Sequence, residues 1–353
     1  MRRLLILAAL LGGGVVAQTA LPGVLTIRFL NVGQGDAVLI TAPEGQGLLY
    51  DGGRSEKRMT ELLGKYGVKS LAVVAASHGD ADHITGLIPA VQMFKPKFFL
   101  NNGIAATTQT FGKLTAAVKT AGTQGLLAKD QVINLGSVKV TILPPPPGMP
   151  KTDQNLNSIG LLIEYGTFKA LMTGDSESAE TAAWLKAYPA STLGPINVYK
   201  SIHHGAKNGD NLAWLNAVRP TDVVIGVGPN NYGHPTSEAL ALYKSVNAAI
   251  YRTDLNGTVT VTVQPGGKYS LSAEKGTGTA PQAAPVPTAP APTAPAPAAP
   301  PRLPPALPPS SPSGGVVYPN CAAVRAAGRA PLLVGQPGYS RKLDRDGDGR
   351  ACE

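Results

Sequence analysis

The stretch SHGDADHITGL, residues 77–87, places His78, Asp80, Asp82 and His83 within six positions, directly after the apolar run LAVVAA at 71–76. A short apolar run that ends in glycine and polar residues is consistent with a buried strand. The four ionisable side chains therefore sit in the loop that leaves a strand end. Imidazole and carboxylate together are ligands for Zn, Mn or Fe. Alternate residues, 78 and 80, can point one way while 82 and 83 reach another, so one loop can serve two ions. The chain holds five histidines, and the other three are also clustered: His203 and His204 in SIHHGAKNG, His234 in NNYGHPTS. Polar groups with no task are rarely gathered in glycine-flanked loops, so all five argue for a site. Asp175, in LMTGDS, ends another strand-like run and offers a carboxylate that could bridge two ions.

Outward from this loop, residues 24–273 alternate strand-like and helix-like segments. VLTIRFL, DAVLITA, GLLYDGG, KFFLNNG, SVKVTIL, IGLLIEYG, KALMTGD, INVYKSI, DVVIGVG and GTVTVTV read as strands. EKRMTELLGKYG and SESAETAAWLKAY read as helices, with Gly and Pro at the joins. Many short strands with interspersed helices predict a layered α/β domain. This region carries 21 Lys and Arg against 17 Asp and Glu, a surplus of four, which admits an anionic substrate without demanding one.

Both ends of the chain differ from this core. MRRLLILAALLGGGVVA, residues 1–17, has two arginines, an apolar stretch and a small-residue cleavage pattern, as a secretory signal peptide does. The stretch is too short and glycine-broken for a spanning helix, which needs ~20 apolar residues. The expectation is an exported protein, secreted, periplasmic or at the cell surface, with no transmembrane segment in the mature chain. Residues 277–315 are rich in proline and alanine, with few charges and no periodicity, and predict a semi-rigid polyproline linker. The remaining segment, 316–353, is too small to fold without a staple or a metal. It holds the only two cysteines, Cys321 and Cys352, which an oxidising compartment favours as a disulfide. It also holds DRDGDG at 344–349. There Asp344, Asp346 and Asp348 fit positions 1, 3 and 5 of an EF-hand-type calcium loop, with Gly349 at the sharp turn. Arg350 would offer its carbonyl, and Glu353 falls two places before the usual last ligand.

Taken together, the HxDxDH pattern with Gly86, DGG at 51–53, TGD at 173–175 and HHG at 203–205 resemble the metallo-β-lactamase fold, an αββα sandwich. VGQGDA at 32–37, Asn155-x-Asn157-Ser158 and Asn230-x-Tyr232-Gly-His234-Pro235 bring the resemblance closer to the nuclease-like domain of ComEC-type competence proteins. The segment with YPNC, GxPGY and ACE resembles the Excalibur calcium-binding domain. The first resemblance implies a hydrolase with two divalent ions, Mn, Zn or Mg, that cleaves phosphodiesters, with DNA as its substrate. It implies that His78 and Asp80 hold one ion, and that Asp82 and His83 hold the other with either His203 or His204. Asp175 would bridge, Asp82 would also orient the attacking water, and Asp51 would support the ligand loop. Asp36, Asn157, Lys207, Asn230 and His234 would line the site, with His234 and Asp82 in catalysis. Asp80 stands where the wider fold has a second histidine, and a hard oxygen ligand favours Mn or Mg over Zn. The fold also admits hydrolysis of a small ester, lactone or β-lactam. A third reading is a non-enzymatic surface-binding protein whose calcium module is the working part. A full ligand set argues against it.

Overall fold

The structure is a computed structural model and describes residues 23–278, 318–333, 336–340, 342–343 and 350–352. The chain divides into two compact units, Met1–Thr288 and Ala289–Glu353. Residues 1–17, nearly all of 277–315, and Asp344, Asp346, Asp348 and Glu353 lie outside the described residues.

The first unit is built on two sheets. In order across the sheet, the first holds β15 (Tyr269–Ala273), β14 (Val259–Val263), β1 (Leu25–Phe29), β2 (Val38–Thr41), β3 (Gly47–Tyr50), β4 (Val73–Ala75), β5 (Phe98–Asn101) and β6 (Gln124–Leu127). The second holds β13 (Ala249–Arg252), β12 (Pro220–Ile225), β11 (Ile196–Lys200), β10 (Phe168–Met172), β9 (Gly160–Tyr165), β8 (Val138–Leu143) and β7 (Gln131–Leu135). Side chains alternate between faces along a strand, and here both faces are buried. Val38 and Ile40 enter the core between the sheets while Leu39 between them faces outward, and Ala170 and Met172 face inward while Leu171 does not.

Helices cover both outer faces. On the first sheet lie α1 (Glu56–Lys65), the one-turn α2 (Ala81–Ile84), α3 (Leu87–Phe94) and α4 (Gln109–Ala121). Met59, Leu62, Val91 and Leu114 pack there on Leu39, Leu49 and Val74. On the second sheet lie α5 (Ser178–Ala187), α6 (Ala190–Leu193), α7 (Leu212–Val218) and α8 (Ser237–Ser245). Trp184, Trp214 and Tyr243 pack there on Leu171, Tyr199 and Val223. Side-chain oxygens of Ser55, Thr108, Asn211 and Thr236 cap four of these helices by accepting from backbone N–H groups. The result is the αββα sandwich expected from the sequence. The buried Tyr50 hydroxyl ties the sheets together by donating to the Ile159 carbonyl at 2.6 Å.

The second unit has a helix, Cys321–Ala326, and a two-stranded ladder, Leu332–Leu333 with Arg350–Ala351. Cys321 and Cys352 form a disulfide around a small core of Val324, Leu332, Leu343 and Ala351. Among the described residues, no helix is long and apolar enough to cross a membrane.

One buried acid in the first unit carries a test. Glu180, in the first turn of α5, is fully buried with its carboxyl turned inward. Burial, with Asp153 and Glu177 nearby, raises its pKa well above the ordinary value. A carboxyl whose folded pKa is raised stabilises the fold fully below its unfolded pKa, ~4.3, and loses that contribution as pH rises through the folded value. Glu180→Gln should therefore match the wild type in thermal midpoint near pH 4 and exceed it at pH 8. Parallel melting curves across this range would contradict the assignment.

Candidate metal centre

The two sheets place their parallel strands so that strand ends converge. β3 and β4 run parallel in the first sheet, and β10, β11 and β12 run parallel in the second. Loops at the C-terminal ends of parallel strands are where open α/β sheets assemble sites. β3 ends in Asp51-Gly52-Gly53, β4 leads into 77–86, β10 into Thr173-Gly174-Asp175, and β11 into 201–205. These loops interlock through their backbones. Gly52 N donates to His83 O at 2.6 Å, Gly53 N to Asp36 O at 2.8 Å, and Gly86 N to Gly53 O at 3.1 Å. Two glycines make this approach possible. A Cβ on Gly86 would lie 1.9 Å from Gly52 O, and one on Gly35, which sits at φ +130°, would lie 2.3 Å from Asp82 O.

On this frame the imidazoles are oriented from behind. His83 Nδ1 lies 2.9 Å from Asp51 Oδ2, while Asp51 Oδ1 accepts from Ser77 N at 2.7 Å. His204 Nδ1 donates to the Gly226 carbonyl at 2.8 Å. His78 Nδ1 meets Ser77 Oγ at 2.9 Å. The Asp51 carboxylate and the Gly226 carbonyl can only accept, so they call for an Nδ1–H on His83 and His204. All three contacts present Nε2 forward, the arrangement that orients imidazole toward a metal. His83 Nε2 and His204 Nε2 lie 3.1 and 3.3 Å from the same oxygen, Asp175 Oδ2, and His204 Nε2 lies 3.6 Å from Asp82 Oδ2. His78 Nε2 lies 3.5 Å from Asp80 Oδ2.

The Nε2 atoms of His78, His83 and His204 and Oδ1 of Asp175 are buried without a hydrogen-bond partner. Polar atoms are not sealed away unsatisfied without cost. Three imidazole nitrogens with carboxylate oxygens between them form a donor set suited to a divalent ion. Ligand atoms of Asp36, His83, Asp175 and His204 all lie within 4.8 Å of one another. Asp36, however, meets the Nδ1 side of both rings, at 3.9 and 3.6 Å, and is ion-paired with Lys200. Asp82 and Asp175 meet the Nε2 side, so Asp82 shares the open face and Asp36 backs it.

The charges are mutually dependent. Burial opposes a proton on His83, but Asp175 and Asp51 outweigh it and raise its pKa well above the ordinary value. His204 is raised the same way against burial, by Asp175 and Asp36. Burial would raise Asp175, yet His204 and His83 hold it well below the usual carboxylate range. Lys200, 1% exposed, stays charged against burial because Asp36 and Asp175 face it. Its Nζ donates to Gly174 O at 2.9 Å.

A cleft of about 340 Å³ opens over this cluster. Asp80, Asp82, Asp175, His203, His204 and His234 line it, with Arg54, Gln34, Asn155 and Tyr232 around them. The two adjacent histidines take different places. His203 and His204 both have left-handed backbone, φ 49° and 56°, which separates their rings. His204 is buried in the cluster, whereas the side chain of His203 is 20% exposed and lies 3.7 Å from Asp175 Oδ2.

Asp36, Asn157, Lys207 and Asn230 do not line the cleft itself, and Asp36 instead backs the imidazoles from behind. Asp36 and Asn157 are buried and engaged, Asn157 by donating to Pro150 O and Asp153 O at 2.9 and 2.7 Å. Lys207 is not among the lining residues, and its charge acts on Glu238 in the first turn of α8. Asn230 holds the 228–234 loop, its Oδ1 accepting from Tyr232 N and His234 N and its Nδ2 donating to Gly228 O and His234 O. Lys200 and Arg54 were not legible as site residues. Arg54 directly follows DGG, which places it at the cleft, and its guanidinium reaches 3.9 Å from Asp82. Lys200 closes a strand of apolar residues, three positions before His203.

Residues 30–228 match the family described as the metallo-beta-lactamase superfamily. The chain belongs to this superfamily. Residues 318–353 match the Excalibur calcium-binding domain. ComE operon protein 3 of Bacillus subtilis (strain 168) is 25% identical over 254 residues, covering 66% of this chain and 32% of that protein. Recombination protein 2 of Haemophilus influenzae is 32% identical over 247 residues, covering 66% of this chain and 28% of that protein. Competence protein ComA of Neisseria gonorrhoeae is 27% identical over 243 residues, covering 67% and 32%. The match thus spans about a third of the length of these curated relatives. The chain is a superfamily member with competence-protein relatives, as its motifs implied.

Asp51 tests the orientation of His83. It sits at φ 60°, which asparagine tolerates, so Asp51→Asn should fold. The loss of the carboxylate behind His83 should weaken Mn²⁺ binding about 10- to 100-fold. Calorimetric titration showing unchanged affinity would contradict the role assigned to Asp51.

Proposed function

We propose that the first unit is a metal-dependent phosphodiesterase acting on nucleic acid, and that residues 1–17 direct export of the protein and are then cleaved off. The observation that carries this reading is the set of orphaned Nε2 atoms and carboxylate oxygens at the floor of a polar cleft that Arg54 lines. In this reading Asp82, His83, Asp175 and His204 would hold one divalent ion. His78 and Asp80 would hold a second, and Asp175 would serve as a ligand of either. Such ions, when bound, lower the pKa of water and neutralise charge on phosphoryl oxygens.

The chain's own residues do the rest. Asp82 orients the attacking water. Its carboxyl stays ionised against burial, because His204 and His83 pull its pKa down. Arg54 pairs with a substrate phosphate. His234 donates a hydrogen bond to it, as an imidazole whose pKa is lowered first by burial and then by its histidine neighbours. Water attacks phosphorus, one P–O ester bond breaks, and the proton the water loses goes to the leaving oxygen, so that a phosphodiester becomes a phosphomonoester and an alcohol. The names of the competence relatives support DNA as the substrate class. A mildly basic surface suits a polyanion.

Purified protein should cleave plasmid or single-stranded DNA with Mn²⁺ or Mg²⁺ and stop in EDTA. His204→Ala should lose on the order of 10³-fold in rate, and His203→Ala much less. Turnover of nitrocefin or a homoserine lactone with no DNA cleavage would contradict the proposal in favour of a small-ester hydrolase.

For the second unit we propose calcium binding by Asp344, Asp346 and Asp348 with the Arg350 carbonyl and Glu353, in a module able to associate with the cell surface. The disulfide closes a separation of 31 residues, worth roughly 3–4 kcal/mol in the chain-entropy model. Asp346→Ala in the full chain should remove one calcium equivalent in calorimetry and leave DNA cleavage intact. Equal stoichiometry in both proteins would remove the assignment.

A further inference from the structure

The rim of the cleft carries an aromatic ring that the fold does not use. Tyr232 is 62% exposed, and of the large apolar side chains left exposed among the described residues it alone lines this cleft. Its loop is not loose. Asn230 ties both ends of the Tyr232–His234 segment with three hydrogen bonds, two accepted from the backbone N–H groups of Tyr232 and His234 and one donated to His234 O, and donates a fourth to Gly228 O. Thr236 N then donates to Gly205 O at 2.9 Å, anchoring this loop to the turn that carries His203 and His204. An exposed aromatic held on a pinned loop presents a prepared surface, since its side chain loses little further freedom when a ligand covers it.

The ring also continues a series that begins in the buried cluster. His83 and His204 lie 5.2 Å apart between centroids, and His204 and His234 stack at 6.4 Å and 28°. Tyr232 stacks on His234 at 5.6 Å and 29°. The series runs from the candidate metal ligands outward and ends in a ring exposed at the cleft. His234 backs one face of the Tyr232 ring, and Tyr232 is 62% exposed. Among the lining residues Arg54 is the one lysine or arginine.

An occupant that fits this cleft has a phosphate for Arg54, and for ions that its carboxylates would hold, and a flat unsaturated ring for Tyr232. We infer that Tyr232, backed by His234, is a base-stacking platform, and that the substrate is a nucleic-acid strand whose base beside the scissile phosphate is unpaired. A duplex keeps both faces of each base covered by its neighbours, so a platform of this kind selects single strands or frayed ends. This rests on the phosphodiesterase reading and adds which form of nucleic acid the site takes.

The test compares a single-stranded deoxyoligonucleotide with a strand of equal length built on abasic tetrahydrofuran residues, using the full chain loaded with Mn²⁺. One stacked base is worth about 5- to 150-fold in binding. Tyr232→Ala should raise KM for the base-bearing strand by a factor in that range, with no comparable rise for the abasic strand. Tyr232→Trp should restore the wild-type KM. Equal effects of Tyr232→Ala on both strands, or none on either, would overturn the platform. A phosphorothioate strand carrying 2-aminopurine gives a reading independent of cleavage. Its fluorescence should be quenched on binding to the wild type and to Tyr232→Trp, and not on binding to Tyr232→Ala. If the wild type cleaves neither strand, the phosphodiesterase reading fails, and unquenched 2-aminopurine would then overturn the platform as well.

Discussion

A lysine ammonium sealed from water must be answered by carboxylates at once, and Lys200 sets this condition for the whole centre. Its ammonium faces Asp36 and reaches 3.8 Å from Asp175. Those two carboxylates in turn face the rings of His83 and His204 from opposite sides. No member can be removed without leaving a buried charge uncompensated, which costs several kcal/mol in measured cases. The cluster is therefore a single electrostatic unit. Protons and divalent cations compete for its front face, so metal uptake should release protons from the imidazoles.

The sandwich exists, in this light, to hold loops from two sheets at contact distance. Sheet one contributes Asp51 and the 77–86 loop, and sheet two contributes Asp175, Lys200 and the histidine pair. Tyr50 and Ile159 join the sheets beside the site. Three motifs that look unrelated along the chain, GQGD, DGG and HITG, are one backbone contact in space. Their glycines serve the approach of carbonyls and N–H groups rather than the chemistry.

Much of this was legible in sequence, for identifiable reasons. Strands buried on both faces, such as VLTIRFL and KALMTGD, announce themselves by apolar content. β6 and β7 do not, because they lie at sheet edges and are largely exposed, in QGLL and QVINL. Pairs such as His83 with Asp51, 32 positions apart, were within reach of motif reasoning. The choice between His203 and His204 was not, since adjacent residues of one type differ only through a left-handed turn. Asn157 and Asn230 were placed at the substrate, but amides beside a site can equally hold loops, and their hydrogen bonds show that they do. Lys200 was missed because a charged residue closing an apolar strand signals nothing until its partners are known.

The central claim is that the Nε2 face of the cluster is a metal site. The most direct measurement is anomalous diffraction from crystals of this protein soaked in Mn²⁺. The account predicts a first peak bounded by Asp82, His83, Asp175 and His204, and a second beside His78 and Asp80, with Asp175 between them. Manganese bound elsewhere on the first unit, with Lys200 and the imidazoles undisturbed and no peak at this face, would contradict it.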